Sequence, residues 1–163
     1  SLSIFIKISD FINEVIKKIC FLLLVAMTVI IVIQVFYRYV IGSSLSWSEE
    51  IARYIFIWII MLGASTGVKE SFHVAVTAFI GWLPENIRSI ISTINVVMLG
   101  LVGLIMVFYG YNLSELVAVQ LSPAIRLSMF WVYLSVPVSG LLIIVHVLSK
   151  LQDLLTELFY AGK

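Results

Sequence analysis

Three stretches of this chain, residues 19–37, 89–114 and 127–149, contain no Asp, Glu, Lys or Arg. Each approaches or exceeds the roughly 20 residues an α-helix needs to cross a bilayer. A fourth stretch, between Arg53 and Lys69, is shorter, but a helix starting near Trp47 can span if the long Arg53 stem reaches towards the headgroups. Of the 163 residues, 62% are hydrophobic and 12% charged, whereas a soluble domain is about half apolar and about a quarter charged. A water-soluble core cannot absorb that surplus, so the apolar residues have to face lipid or other membrane helices. The expected fold is a single all-α integral membrane domain with four transmembrane helices plus amphipathic interfacial helices.

The predicted spans cover about residues 19–38, 47–68, 88–112 and 125–149. Ser46 and Glu49 have the spacing of a capping box, which starts the second span at Trp47. Ser122 followed by Pro123 reads as an N-cap and first helical residue for the last span, and Pro137 falls inside that helix, where it should produce a kink. Two further segments are too short or too polar to cross. Over about 4–18, Phe5, Ile8, Phe11, Ile12, Val15, Ile16 and Ile19 recur at helical spacing against Lys7, Asp10, Asn13, Glu14, Lys17 and Lys18, the pattern of a helix lying on the membrane surface. Over 71–83, Phe72, Val76, Phe79, Ile80 and Leu83 share a face, which predicts a second interfacial helix. The apolar run after Lys17 and Lys18 exceeds the roughly 7 to 15 residues of a secretory signal core, so it reads as a retained anchor.

With four spans, one side holds Lys7, Lys17, Lys18, Lys69, Arg88, Lys150 and Lys163, and the other Arg38, Arg53 and Arg126. The positive-inside rule then puts both termini in the cytoplasm of a cell with an inner membrane. The net charge is only +1 and no basic run tracks a phosphate backbone, so the lipid bilayer, not nucleic acid, is the expected surroundings. The lone Cys20 excludes an internal disulfide and a cysteine metal cluster.

An autonomous ion carrier usually exposes ionisable groups to its pathway, and the three clear spans contain no Asp, Glu, Lys or Arg. Their polar side chains besides hydroxyls are chiefly Gln34, Asn95 and His146, and amides in lipid more often hydrogen-bond between helices than hold substrate. His73 and His146 raise the alternative of a haem- or quinone-binding anchor of a redox complex, but they fall in different settings, and no carboxylate or cysteine set joins them. Glu49, Glu50 and Arg53 form the densest charged cluster, at spacings that permit local ion pairs or a contact to a neighbouring subunit. Trp47, Trp58, Trp82 and Trp131 fall near span ends, as an aromatic belt does. With no nucleophile, phosphate loop or paired acid and base, neither an enzyme nor a cofactor is expected, and a stand-alone carrier remains the nearest rival reading.

Several of these segments, in order, resemble the DctQ-like small-subunit family of tripartite ATP-independent periplasmic (TRAP) transporters. They are Gln34-Val-Phe-Tyr-Arg38-Tyr39, Trp47-Ser-Glu-Glu50-Ile-Ala-Arg53, Trp58 with Leu62-Gly63-Ala64, His73-Val-Ala-Val-Thr77 with Leu83-Pro84, Ser122-Pro123-Ala124, and Tyr133-Leu-Ser-Val-Pro137. The resemblance covers roughly residues 30–140; Thr77 departs from it, standing where an Asp is common. It implies a heteromeric complex. A periplasmic substrate-binding protein would capture an organic anion such as a C4-dicarboxylate or sialic acid, and a large polytopic membrane subunit would move it with a Na⁺ or H⁺ gradient. The small subunit would pack beside the large one as a brace. On that reading Gln34, Arg38, Trp47, Glu49, Glu50, Arg53, Trp58, Gly63, His73, Pro84, Asn95 and Pro137 are candidate interface or structural positions, with no cofactor.

Overall fold

The computed structural model describes residues 2–78 and 84–161. All regular elements are helical: α1 (Leu2–Phe36), α2 (Ser46–Ala78), α3 (Glu85–Leu116), the short α4 (Met129–Tyr133) and α5 (Ser135–Ala161). Four windows are long and apolar enough to cross a membrane: Phe5–Ile41, Ser46–Glu70, Ile90–Leu116 and Met129–Leu154. The chain is a multi-pass membrane protein.

The helices form an open row rather than a closed bundle. α1 packs on α2 and to a lesser extent on α5, α2 on α5 and α5 on α3, while α1 and α3 do not touch among the described residues. Half of the apolar window of α5 is buried inside the chain and none of that of α1, so α5 is the centre and α1 a wing. The core is correspondingly small: Val96, Ile143 and Val147, flanked by Val68, Leu99 and Leu151.

Small residues let α3 and α5 approach. A Cβ added at Gly140 would lie 2.8 Å from the Gly103 carbonyl oxygen, and one at Gly110 would meet Pro137 Cδ at 3.0 Å. In a membrane, where apolar surfaces gain little by meeting each other, close packing of this kind carries helix association.

α1 differs from expectation. The sequence suggested a flat helix over 4–18 followed by a span, but the helix runs unbroken for 35 residues, about 52 Å at 1.5 Å per residue. Part of its polar side turns inward: Ser9 is 0% and Asn13 5% exposed, while Lys7, Asp10, Glu14, Lys17 and Lys18 stay exposed and Phe5 and Phe11 point out at 54% and 70%. Ser9, Asp10 and Lys17 find partners on α2 and α5 that a helix lying alone on a surface would lack. After Phe36 the helix widens into a π-turn, Tyr37–Ile41, closed by Gly42 at φ 74°, a conformation that favours glycine.

α2 likewise continues through residue 78, so no separate helix begins at 71, and residues 79–83, with Trp82, lie outside the described residues. It starts at Ser46, one residue before Trp47. Ser48 holds the first turn by donating its hydroxyl to the Leu45 carbonyl at 2.8 Å, and Glu49 turns to Arg53 in place of a capping box.

The last span begins later than Ser122–Pro123 suggested. Residues 117–128 form a tight hairpin with an antiparallel bridge between Leu121 and Ser128. Arg126, at φ 55°, leaves the helical region after one turn. The cap is Ser128, whose hydroxyl accepts from the Phe130 N–H. Pro137 lies in the first turn of α5, where it offers no N–H to the Tyr133 carbonyl, and the α4–α5 break at Leu134 falls at this point. The expected kink is therefore an interruption.

Candidate functional site

Two polar clusters hold α2 between its neighbours. The first is centred on Glu50, on the first turns of α2. Its Oε2 accepts from the backbone N–H groups of Ala124 (3.1 Å) and Ile125 (2.8 Å), and its Oε1 from the Tyr54 hydroxyl (2.8 Å). Buried at 5% exposure, this carboxylate pins the hairpin before the last span onto α2. The hairpin is also closed from within, because the Ser122 hydroxyl accepts from Leu127 N–H and the Ser128 hydroxyl donates to the Ala118 carbonyl. Farther along α2, the Trp58 indole N–H donates to the Trp131 carbonyl at 3.2 Å, and Ser139 of α5 donates to the Met61 carbonyl at 2.6 Å.

The second cluster lies at the other end of α2. Lys69 donates to the Asp10 carboxylate and to Ser9 Oγ, and Ser9 Oγ lies 2.8 Å from His146 Nδ1. A lysine ammonium only donates, so Ser9 accepts from it, while the direction of the Ser9–His146 bond follows the imidazole tautomer; the other ring nitrogen is Nε2. That nitrogen is buried without a partner among the described residues. About two turns along α1, Lys17 pairs with Glu70 at 2.6 Å. The nineteen residues from Glu50 to Lys69 correspond to about 28 Å of helix, close to the roughly 30 Å of a hydrocarbon core. The clusters therefore bracket the apolar part of α2, and each can be satisfied near headgroup depth.

The arrangement is structural, not catalytic. Glu50 directs its carboxylate at backbone, phenol and Ser122 hydroxyl donors, and Glu49 pairs with Arg53 at 3.2 Å in the lining of a cleft of about 280 Å³ that also includes Ser46 and Pro123. No group of three or more metal-ligating side chains occurs among the described residues. His146 has one ring nitrogen engaged and the other enclosed, so it offers no accessible imidazole to a haem.

The remaining candidates fall into two sets. Trp58, Glu50 and the buried Pro137 are built into contacts within the chain. Arg38, Trp47, Glu49, Arg53 and Pro84 are exposed, and nothing lies within 4 Å of a Cβ placed on Gly63. Gln34 is half-buried and Asn95 exposed; neither makes the interhelical hydrogen bond expected of it among the described residues. His73 belongs to α2, but its side chain lies outside the described residues. Sequence reasoning passed over Ser9, Lys69 and Ser139 as partners, and the glycines of the α3–α5 crossing. Lys69 was the one with a legible signal, a lysine at the end of an apolar stretch.

Comparison with known proteins supplies the context. The profile of a family described as "Tripartite ATP-independent periplasmic transporters, DctQ component" matches residues 27–157. The sialic acid TRAP transporter small permease protein SiaQ of Vibrio cholerae is 29% identical over 145 residues, 88% of this chain and 83% of the relative. The C4-dicarboxylate TRAP transporter small permease protein DctQ of the same organism is 27% identical over 92 residues, 56% of this chain and 40% of the relative. The isethionate TRAP transporter permease protein DctMQ of Oleidesulfovibrio alaskensis is 32% identical over 136 residues, 78% of this chain but only 21% of the relative.

Proposed function

This chain belongs to the DctQ-component family of tripartite ATP-independent periplasmic transporters, and from that premise we propose that it braces a larger membrane subunit during binding-protein-dependent import of an organic acid anion. It is a small permease subunit of a transporter and not an enzyme. The observation that carries the bracing role is the open row of helices: none of the apolar window of α1 is buried inside the chain, and α2 is stapled at both ends. Such a rigid, flat element suits the stationary side of a transporter in which a partner moves.

A large partner is supported by the isethionate relative, in which the segment like this chain is about a fifth of one polypeptide. The amides of Gln34 and Asn95, unpaired among the described residues, support it too, because an amide left alone in hydrocarbon is costly and a polytopic neighbour can satisfy it. The substrate is a carboxylate of the class that includes sialic acid and C4-dicarboxylates, the cargoes in the names of two relatives. The coupling Na⁺ or H⁺ binds the large subunit. The termini are cytoplasmic, since Lys7, Lys17, Lys18, Lys69 and Lys150 gather at their end of the molecule.

Reconstitution tests this reading. Gradient-driven uptake of a carboxylate into liposomes should require this chain, the large subunit and the periplasmic binding protein together. Uptake by this chain alone, or undiminished uptake without it, would refute the role. A C-terminal reporter active only in the periplasm would overturn the orientation.

A further inference from the structure

Where α1, α2 and α5 converge at the Lys69 end, they enclose a cleft of about 130 Å³ lined by Asp10, Lys69, His146, Ser149, Lys150 and Asp153. Two of its charges are mutually neutralised, Lys69 on Asp10. The other two are not: among the described residues neither Lys150 nor Asp153 has an ion-pair partner. They stand three positions apart on α5, a spacing that puts both on one face. Ser149, 7% exposed, lies beside them, and no described hydrogen bond uses its hydroxyl.

The lining thus holds two cations and two anions, with one of each sign unpaired among the described residues. A free phosphate entering it would meet two carboxylates, and a metal cation would meet two ammonium groups. A group carrying both charges a few ångströms apart satisfies the set. The cleft also lies near the ends of the spans Ser46–Glu70 and Met129–Leu154, at headgroup depth, with Ile6 of α1 in its lining and the exposed apolar Phe5 and Ile8 on the same helix. The geometry points to a binding site for the headgroup of an amine-bearing zwitterionic phospholipid, its phosphate on Lys150 and the Ser149 hydroxyl and its ammonium on Asp153. Acyl chains would then run along the uncovered face of α1. The site belongs to this chain alone and does not depend on the partner subunit.

The full chain, purified in mild detergent and delipidated, is titrated with dioleoyl phosphatidylethanolamine and dioleoyl phosphatidylglycerol, and bound lipid is counted by native mass spectrometry. The zwitterionic lipid is expected to bind about fivefold more tightly, the effect of one unbalanced charge near a membrane surface. Asp153→Asn should abolish that preference by weakening phosphatidylethanolamine binding and strengthening phosphatidylglycerol binding, Lys150→Gln should weaken both lipids, and Lys18→Gln, at an exposed position, should change neither. Equal binding of the two lipids by the unaltered chain overturns the proposal, and that comparison needs no variant. Displacement of the lipid by millimolar inorganic phosphate overturns it as well, because it would make the cleft a simple anion site.

Discussion

Replacing Gly140 by alanine perturbs the α3–α5 crossing at its closest point. The added Cβ would lie 2.8 Å from the Gly103 carbonyl oxygen and 2.8 Å from Met106 Cβ, about 0.6 Å inside the 3.4 Å at which ordinary contact begins. One obstacle is backbone and the other is the root of a side chain, so neither swings aside, and α5 has to move as a body. Overpacking of this kind costs about 1–3 kcal/mol, offset by up to about 1 kcal/mol because alanine is the better helix former. A net loss of about 1–2 kcal/mol is expected. Gly63→Ala is the control: its Cβ meets nothing within 4 Å, so within the isolated chain it should be neutral or slightly stabilising. Gly103→Ala, whose Cβ would meet Ile144 Cγ1 at 2.9 Å, should resemble Gly140→Ala. The double variant should cost less than the sum, since one separation relieves both contacts. Reversible unfolding in mixed micelles, followed by tryptophan fluorescence, measures all four. If Gly140→Ala and Gly103→Ala prove as stable as Gly63→Ala, the crossing does not depend on close approach and the packing argument fails.

Three further outcomes follow from the polar clusters and the open face. Glu50→Ala should free the hairpin, so that the amides of Ala124 and Ile125 lose hydrogen-exchange protection, whereas Glu50→Gln, which keeps an acceptor oxygen for them, should retain most of it; equal protection in both variants would count against the staple. Ser9→Ala leaves the buried His146 Nδ1 without its partner and should cost about 1–3 kcal/mol, while Ser139→Ala, which removes one interhelical bond to Met61, should cost only about 0.6 kcal/mol. The same unfolding assay ranks the two, and a reversed order would contradict the assignment. Asn95→Leu should leave the isolated chain folded yet lower recovery of the large subunit with it; unchanged recovery removes Asn95 from the interface.

What the sequence made legible was whatever lipid demands of a single segment. Uncharged runs located four spans, and Pro137 marked the break between α4 and α5 because a missing N–H acts locally. What it hid depends on distant segments. Glu50 looked like half of an ion pair with Arg53, but its partners are backbone amides 74 and 75 residues away, and such partners carry no side-chain signature. The amphipathic pattern of residues 4–18 fits a helix on a surface and a helix leaning on other helices equally well, since both present one apolar face to lipid. Only the burial of Ser9 and Asn13 against the bundle separates the two. The α3–α5 contact was invisible for a related reason: residues facing lipid and residues facing a helix are both apolar, and glycines that enable packing read like glycines that do nothing.

The central claim, that this chain is one rigid part of a larger transporter, is tested most directly by purifying it from its native membrane in mild detergent and weighing the intact assembly. The account predicts a stable, near-stoichiometric complex with a much larger polytopic membrane protein. Recovery of the chain alone, or with a haem-bearing or other redox subunit, would contradict it.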